Sequence, residues 1–319
     1  MASPNATFTE MVTTTLRAHS REITDNVSAN NALLTYLKSK GKIETENGGY
    51  EIVLPLDYAE NSTYLRYSGY DPLNISPSEV ISAAKYDWAQ IALHVTASGR
   101  ELRMNSGEEA MMKLTKARLK NATRTANNNM SVDIYSTGAL SNQIGGLGHL
   151  VTSDGTGTVG GIVAGTYTFW KNQFFECSTA PSAATITGHM NTLWLRCVRG
   201  TDKPDLLVSS HDFYNFYESS LQANQRYMDI KSAAAGFEAL KYKTANVIFD
   251  SNTNFSTTQE VMYFLNTDYI YLIVHSAANW TQDDDKVPVN QDAVVIPIYW
   301  MGNMCTSNRS LQGKLIDET

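Results

Sequence analysis

The sequence predicts an α+β protein, and three patterns support this fold class. A strand is predicted over 50–56, after Gly48 and Gly49, and apolar and polar residues alternate over 80–96, as they do in strands that bury one face. A helical period of apolar residues covers 107–137. Beyond residue 139, short strand and helix patterns follow one another along the chain. With 319 residues, 42% of them hydrophobic, the chain can bury one large core or two smaller ones.

Composition argues against several functional classes. Charged residues make up 18% of the chain, below the roughly 25% of an average soluble protein. Asn, Thr, Ser and Tyr replace them, and such neutral polar groups cost little to desolvate, which suits a protein that covers its surface with its own copies. The net charge of -7 argues against wrapping nucleic acid over the whole surface. Three widely spaced cysteines indicate a reducing compartment, and no apolar run is long enough to predict a membrane partner.

Residues 1–41 are predicted to form an N-terminal arm. A thin apolar stripe begins at Phe8, and a shorter helix follows between an N-cap at Asn30 or Asn31 and a stop at Gly41. The first part is too weakly apolar to hold itself in a core. We therefore expect an arm that needs a partner surface.

Residues 42–79 are predicted to form a long β-hairpin with a tyrosine-rich end, whose second leg continues over 80–96. Legs of this length would reach roughly 30–50 Å at about 3.3 Å per residue. A two-stranded ribbon is not stable alone in water, so it must lie on its own domain or on a neighbour. Protein interfaces favour Tyr and Arg. The predicted assembly contacts are Tyr58, Tyr64, Arg66, Tyr67 and Tyr70.

The helix over 107–137 begins at a capping box formed by Ser106 and Glu109 and ends at Gly138. Its length of roughly 45 Å, at about 1.5 Å per residue, suits the backbone of an elongated domain. One face is narrow and apolar. The opposite face carries a basic run, for which we weigh contact with DNA against subunit salt bridges or solvent, and favour the latter. The basic residues are Lys113, Lys116, Lys120 and Arg124.

The second half of the chain is predicted to mix helices over 185–199 and 211–221 with strands over 205–209, 245–250, 261–265 and 269–275. The last strand, over 293–303, is strongly apolar, and Pro297 within it indicates an edge or a bulge. We expect this strand to return to the first domain.

No motif supports an enzyme. Gly155–Gly160 matches the GxGxxG spacing of dinucleotide-binding loops, but no clear strand precedes it and Gly161 and Gly165 disfavour a following helix. A flexible loop is the favoured interpretation. The six histidines form no pair with metal-binding spacing, so no metal or cofactor is predicted.

Several phrases, in this order along the chain, resemble those of tailed-bacteriophage major capsid proteins, which have the Hong Kong 97-like fold. Each phrase alone is unspecific, whereas the ordered set spans nearly the whole chain. The phrases cover residues 55–61 (PLDYAEN), 66–72 (RYSGYDP), 143–147 (QIGGL), 203–208 (KPDLLV), 236–242 (GFEALKY), 263–266 (YFLN) and 290–293 (NQDA).

The resemblance implies a domain plan and a function. Residues 1–41 would be the N-terminal arm and 42–79 the extended loop. Residues 80–138 would be the peripheral domain with a spine helix over 107–137. Residues 139–288 would be the axial domain, and 289–319 the returning strand of the peripheral domain. The chain would assemble into pentamers and hexamers of an icosahedral virion shell around double-stranded DNA.

The resemblance also implies partners and leaves alternatives open. Scaffold, portal and decoration proteins would be further partners, contact with packaged DNA would be non-specific, and assembly would take place in the cytoplasm of a bacterial host. An encapsulin-type compartment is the alternative with the same fold. A nucleotide-binding enzyme using Gly155–Gly160 is the alternative from another class.

Overall fold

The computed structural model describes residues 32–104, 108–221, 240–250, 260–282, 286 and 290–317. Within these ranges the helices are α1 (Ala32–Ser39), α2 (Gly99–Met104), α3 (Glu108–Asp133), α4 (Leu147–Leu150), α5 (Ile186–Cys197) and α6 (His211–Ser220). The strands are β1 (Ile43–Glu46), β2 (Ile52–Asp57), β3 (Ile81–Tyr86), β4 (Ala89–Ser98), β5 (Thr158–Val159), β6 (Ile162–Val163), β7 (Gln173–Glu176), β8 (Leu206–Ser209), β9 (Leu240–Tyr242), β10 (Ala245–Phe249), β11 (Glu260–Leu265), β12 (Ile270–Gln282), β13 (Ala293–Thr306) and β14 (Gly313–Asp317).

A six-stranded sheet in the order β7-β14-β11-β8-β10-β9 divides the apolar interior into two cores. Successive side chains of a strand point to opposite faces, and β11 shows this alternation. Met262 and Phe264 pack in the core covered by α5 and α6, whereas Val261, Tyr263 and Leu265 pack in the other core. Both faces of this sheet are therefore buried at its central strands, which explains the nearly continuous apolar sequences of β8 and β11.

A four-stranded sheet in the order β1-β12-β13-β4 forms the second layer, and the long helix α3 packs against β4. β13 pairs with β4 from Ala293 opposite Ser98 to Gly302 opposite Ala89. The strand predicted over 293–303 thus pairs with a strand from the first part of the chain.

Pro297 lies where β13 has no ladder partner on its β12 side among the described residues. The β12 register ends at Gln282 opposite Ile298, and Lys286 exchanges two backbone hydrogen bonds with Val295 further along. Pro297 lies two residues after Val295, so its backbone nitrogen faces the β12 side of the strand, as the nitrogen of Val295 does. The proline therefore removes a donor at a position where no described residue of β12 offers an acceptor, although β13 as a whole is an interior strand.

A large irregularity interrupts β12. Val274 lies opposite Gly302 but Asn279 lies opposite Trp300, so extra residues are accommodated on β12. Trp280 takes the left-handed conformation with φ 53°, which is rare for a bulky residue. Its ring lies over that of Trp300, with 6.1 Å between the centroids, and this contact holds the irregular backbone against the core.

Most predicted elements are confirmed within a few residues. The spine helix is seen as Glu108–Asp133, and its predicted end at 137 is four residues too long because residues 134–136 close into tight turns. The hairpin legs β2 and β3 have six residues each, about 20 Å at 3.3 Å per residue, so the predicted leg length is wrong. The strand β14 has no counterpart in the prediction.

Two boundary predictions also need correction. Residues 1–31 of the predicted arm lie outside the described residues, but α1 is not a loose arm, because Leu33 and Leu37 are fully buried in the core. The sheets cross the predicted domain boundaries as well. β12 belongs to the sheet of β4, and β14 belongs to the six-stranded sheet. Strand pairing is decided by contacts between residues far apart in sequence, which local patterns do not report.

Candidate assembly surface

The root of the extended loop, formed by β2 and β3, lies on the protein's own core. The strands pair from Ile52 opposite Tyr86 to Asp57 opposite Ile81. Their inner faces are buried and their outer faces are exposed, as the period of two requires. The buried set is Ile52, Leu56, Ala84 and Tyr86.

The free edge of β3 is also held. The backbone N–H of Lys85 donates to the carbonyl oxygen of Gly160 at 2.9 Å. The Tyr86 hydroxyl donates to the Thr306 carbonyl oxygen at 2.8 Å. Burial raises the pKa of the Tyr86 hydroxyl above its ordinary value, so this group stays a neutral donor.

Beyond the root, residues 58–80 contain no strand, and side-chain hydrogen bonds to the backbone give them their shape. The Asn61 Oδ1 atom accepts from the Thr63 N–H at 2.9 Å and from the Ser78 hydroxyl at 3.0 Å, which ties the two limbs together. Ser68 and Asp71 close the tip, with a 2.9 Å hydrogen bond from the Ser68 N–H to the Asp71 carboxylate. The left-handed φ of 57° at Gly69 suits this turn.

Residues 58–80 of the extended loop carry six of the seventeen large apolar side chains that the described residues expose. Tyr64 is 82% exposed, Tyr67 63% and Ile75 92%, and Tyr70 is fully exposed. A cluster of exposed aromatic residues of this kind marks an interaction surface, and tyrosine is favoured among residues that dominate binding.

The predicted contact residues separate into two groups. Tyr64, Arg66, Tyr67 and Tyr70 lie together on the exposed part of the loop. Tyr58 does not join them, because it is half-buried at the root and its ring lies on Phe169, with centroids 5.7 Å apart. Sequence reasoning missed six exposed apolar residues of the loop and its root. Two of them lie in a Pro-, Asn- and Ser-rich stretch, where apolar residues have no core to enter. The six residues are Tyr50, Val53, Leu65, Leu73, Ile75 and Ile81.

Of the predicted basic helix face, only Arg124 has a described side chain, and it is half-buried. The side chains of Lys113, Lys116 and Lys120 lie outside the described set. The basic face therefore stays a prediction.

The alternative interpretation of Gly155–Gly160 as a dinucleotide-binding loop, which the sequence disfavours, does not fit the structure. Such a loop joins a strand to a helix, whereas here Gly160 and Gly161 form the two-residue turn between β5 and β6. Their φ angles of 60° and 73° are those of a type I′ hairpin turn, in which two adjacent residues take positive φ. No helix start is available to bind a phosphate.

Among the described residues, no group of three or more His, Cys, Asp or Glu side chains is arranged to hold a metal ion. None of the described helices combines the length and the apolar character needed to cross a membrane.

No family model and no curated protein matches this sequence. Solved structures do match it. The capsid of cyanophage A-1(L) has a TM-score of 0.67 with 12% identity over 97% of this chain and 99% of the other. The capsid of Myoviridae phage XM1 has a TM-score of 0.56 with 15% identity over 95% and 97%. A holo-encapsulin complex from Synechococcus elongatus has a TM-score of 0.60 with 7% identity over 97% and 95%.

These similarities extend over nearly the full length of each chain. They show that the protein has the tailed-phage capsid fold, the Hong Kong 97-like fold, and they confirm the predicted α+β class. The encapsulin shares this fold, so the fold by itself does not separate a virus shell from a cargo compartment.

Proposed function

We propose that this protein is the major capsid protein of a tailed phage, which assembles into an icosahedral shell around packaged double-stranded DNA. The observation that carries the proposal is the part of the extended loop beyond its root, residues 58–80, which exposes Tyr64, Tyr67 and Tyr70 and has no core of its own. In a protein with this fold, a second copy of the chain is the natural surface to cover them.

Assembly by this mechanism uses many modest contacts. Each subunit would place its extended loop on a neighbour and receive another neighbour's loop, in pentamers and hexamers. A head-to-tail contact closes into a ring when the rotation between copies is correct. Linked contacts then raise the effective concentration of each further contact, so that modest interfaces give a stable shell.

The test replaces the three exposed tyrosines of the loop by serine, in the variant Tyr64→Ser, Tyr67→Ser and Tyr70→Ser. Truncating an aromatic residue at the centre of an interface costs about 2 kcal/mol or more. Because every subunit carries the same set, the loss is repeated around the shell. We expect folded subunits, with an unchanged circular dichroism melt, that sediment slowly and form no particles under the electron microscope.

The matched control replaces the same tyrosines by phenylalanine, which keeps the rings and removes only the hydroxyl groups. We expect this variant to assemble. A deletion variant lacks residues 62–77 and joins Asn61 to Ser78, whose side chains lie 3.0 Å apart, through a short glycine linker. Normal shells from the serine variant or from the deletion would overturn the proposal.

An encapsulin-type compartment is the second candidate, and the match to an encapsulin complex over 95% of its length favours keeping it. The two candidates differ in what the shell contains. Nuclease-protected double-stranded DNA of one length in particles from the native source supports the capsid. A stoichiometric enclosed protein without DNA supports the compartment.

A further inference from the structure

The segment 150–170 has only short helices and strands, yet it is anchored at several points by one buried side chain. Arg309 is fully buried. Its guanidinium donates to the carbonyl oxygens of Leu150 at 2.8 Å and Thr156 at 2.8 Å, and more weakly to that of Trp170 at 3.5 Å. A third close hydrogen bond reaches the Thr152 hydroxyl at 2.9 Å. The base of this segment is therefore fixed to the body of the protein.

The tip of the same segment is the β5–β6 hairpin, and its turn meets the root of the extended loop. Gly160 accepts the hydrogen bond from the Lys85 N–H on the edge of β3 that β2 does not use. The approach is close, because a Cβ atom on Gly160 would lie 2.8 Å from the Ala84 Cβ and 3.1 Å from the Tyr86 Cζ. The indole N–H of Trp170 supports the turn from behind by donating to the Val159 carbonyl oxygen at 2.9 Å.

We propose that the β5–β6 hairpin is a brace that fixes the direction in which the extended loop leaves the body, and that Gly160 is its positioning residue. A two-stranded ribbon is at best marginally stable alone. Here β3 is held by β2 on one edge and by Gly160 on the other, so the ribbon cannot pivot on the core.

The loop beyond the root follows the direction of the root. The Tyr58 N–H donates to the Val80 carbonyl oxygen at 3.0 Å and continues the β2–β3 ladder. The Tyr58 ring lies on Phe169, which belongs to the segment that carries the brace. The Asn61 hydrogen bonds then tie the two limbs above it. A small rotation at β3 would therefore be carried to the tyrosines at the tip.

The importance of this direction for assembly rests on the proposed function, but the brace itself can be tested in a single subunit. Spin labels are attached at Ser68→Cys in the tip and Leu195→Cys on α5, two exposed positions. The background carries serine at Tyr64, Tyr67 and Tyr70 to keep the subunit unassembled. The native thiols are buried, so labelling is confined to the new cysteines. The distance distribution between the labels is measured by pulsed electron paramagnetic resonance.

Gly160→Ala is the test variant, and Gly161→Ala is its matched control. Both glycines have positive φ in the same turn, but a Cβ on Gly161 meets no atom within 4 Å. The two substitutions therefore share the backbone strain and differ in the contact with β3. We expect Gly160→Ala to shift and broaden the distance distribution, Gly161→Ala to leave it unchanged, and Ala84→Gly added to Gly160→Ala to restore it in part.

A distribution that Gly160→Ala leaves unchanged, or that Gly161→Ala changes equally, would overturn the brace. If Gly160→Ala does not fold, Trp170→Phe replaces it, because this change removes the donor to Val159. A broader distribution in Trp170→Phe then supports the brace, and an unchanged one contradicts it. The distances are measured on subunits separated from any particles by size-exclusion chromatography, so failure of the brace and failure of the shell proposal remain distinguishable.

Discussion

At the scale of single residues, Arg309 shows how one side chain can organise a long segment. It is fully buried in the short turn between β13 and β14. Burial lowers the pKa of its guanidinium to about 10, so the charge is retained at neutral pH. A buried cation is costly unless its hydrogen bonds are satisfied, and here oxygens of Leu150, Thr152 and Thr156 satisfy them.

Replacing Arg309 by methionine is expected to lower the free energy of unfolding by about 3 kcal/mol, because several buried acceptors lose their donor at once. Urea unfolding followed by circular dichroism measures this loss. Arg66→Met, at an exposed position of the extended loop, is the control and should stay within about 0.5 kcal/mol of the wild type. Equal stability of the two variants would show that Arg309 does not anchor the segment.

His149 gives stability a pH dependence near neutrality. Burial lowers the pKa of its imidazole below the ordinary 6.5, and the nearby positive charge of Arg309 lowers it further. The folded state therefore disfavours the protonated ring. The contribution of the neutral His149 ring to the free energy of unfolding is fully present above pH 6.5. It is lost as the pH falls from 6.5 through the folded-state pKa of the ring.

We expect the urea midpoint of the wild type to fall between pH 7 and pH 5, and His149→Gln to show a smaller fall. Gln keeps a polar side chain of similar reach without the titration. The comparison between the two pH profiles isolates the imidazole from carboxylates that titrate in both proteins. Parallel pH profiles of the wild type and His149→Gln would show that His149 does not cause the pH dependence of stability.

At the scale of elements, the outer edge of β2 is protected against pairing with another strand. The backbone N–H of Lys85 points away from β2 and toward Gly160. In an antiparallel pair, the residue opposite Lys85 on β2 and every second residue after it therefore also direct their backbone nitrogen atoms away from β3. These residues are Val53, Pro55 and Asp57. Among the described strands, β2 pairs with β3 alone, and Pro55 has no N–H to offer at the centre of its free edge. Exposed edges are commonly blocked in this way.

Pro55→Val is expected to increase aggregation of unassembled subunits, because it restores an N–H donor and adds a β-branched residue to an exposed edge. Light scattering and thioflavin fluorescence at moderate temperature measure the increase. Pro72→Val, in the part of the extended loop without strands, is the matched control and should not aggregate faster than the wild type. Similar rates for both variants would show that the β2 edge needs no protection.

At the scale of the whole molecule, the three thiols are distributed through the interior and report on global unfolding. Cys177 follows β7, Cys197 ends α5 and Cys305 lies in β13, and all three are buried. Burial raises the pKa of Cys177 and of Cys197 to about 12 and raises that of Cys305 as well. The reactive thiolate is therefore scarce in the folded chain.

We expect a thiol reagent such as dithionitrobenzoate to leave the native protein unmodified and to modify all three cysteines in urea. The urea concentration at half modification should coincide with the midpoint from circular dichroism, and a reducing agent should not shift that midpoint. Rapid modification of one cysteine before unfolding would mean that its part of the chain opens separately.

The fold class, most element positions and the tyrosine-rich loop can be predicted from the sequence, because alternation, helical period and turn residues are local properties of the chain. The exposed position of Tyr64, Tyr67 and Tyr70 follows from the same logic, since aromatic residues among Ser, Gly, Asp and Pro have no apolar pattern to join. The ordered phrases also indicate the capsid fold, which the solved structures confirm.

Only the tertiary structure decided that β12 joins the sheet of β4, that β14 joins the six-stranded sheet, that α1 packs in the core, and that Tyr58 belongs to the root and not to the tip. It also showed that the glycine motif resembling a nucleotide-binding loop contains a hairpin turn that packs against β3. These features depend on contacts between residues more than fifty positions apart, such as Gly160 with Lys85 and Arg309 with Leu150. These contacts become favourable when segments that are distant in sequence come together and exclude water. No short stretch of the sequence contains both residues of such a contact.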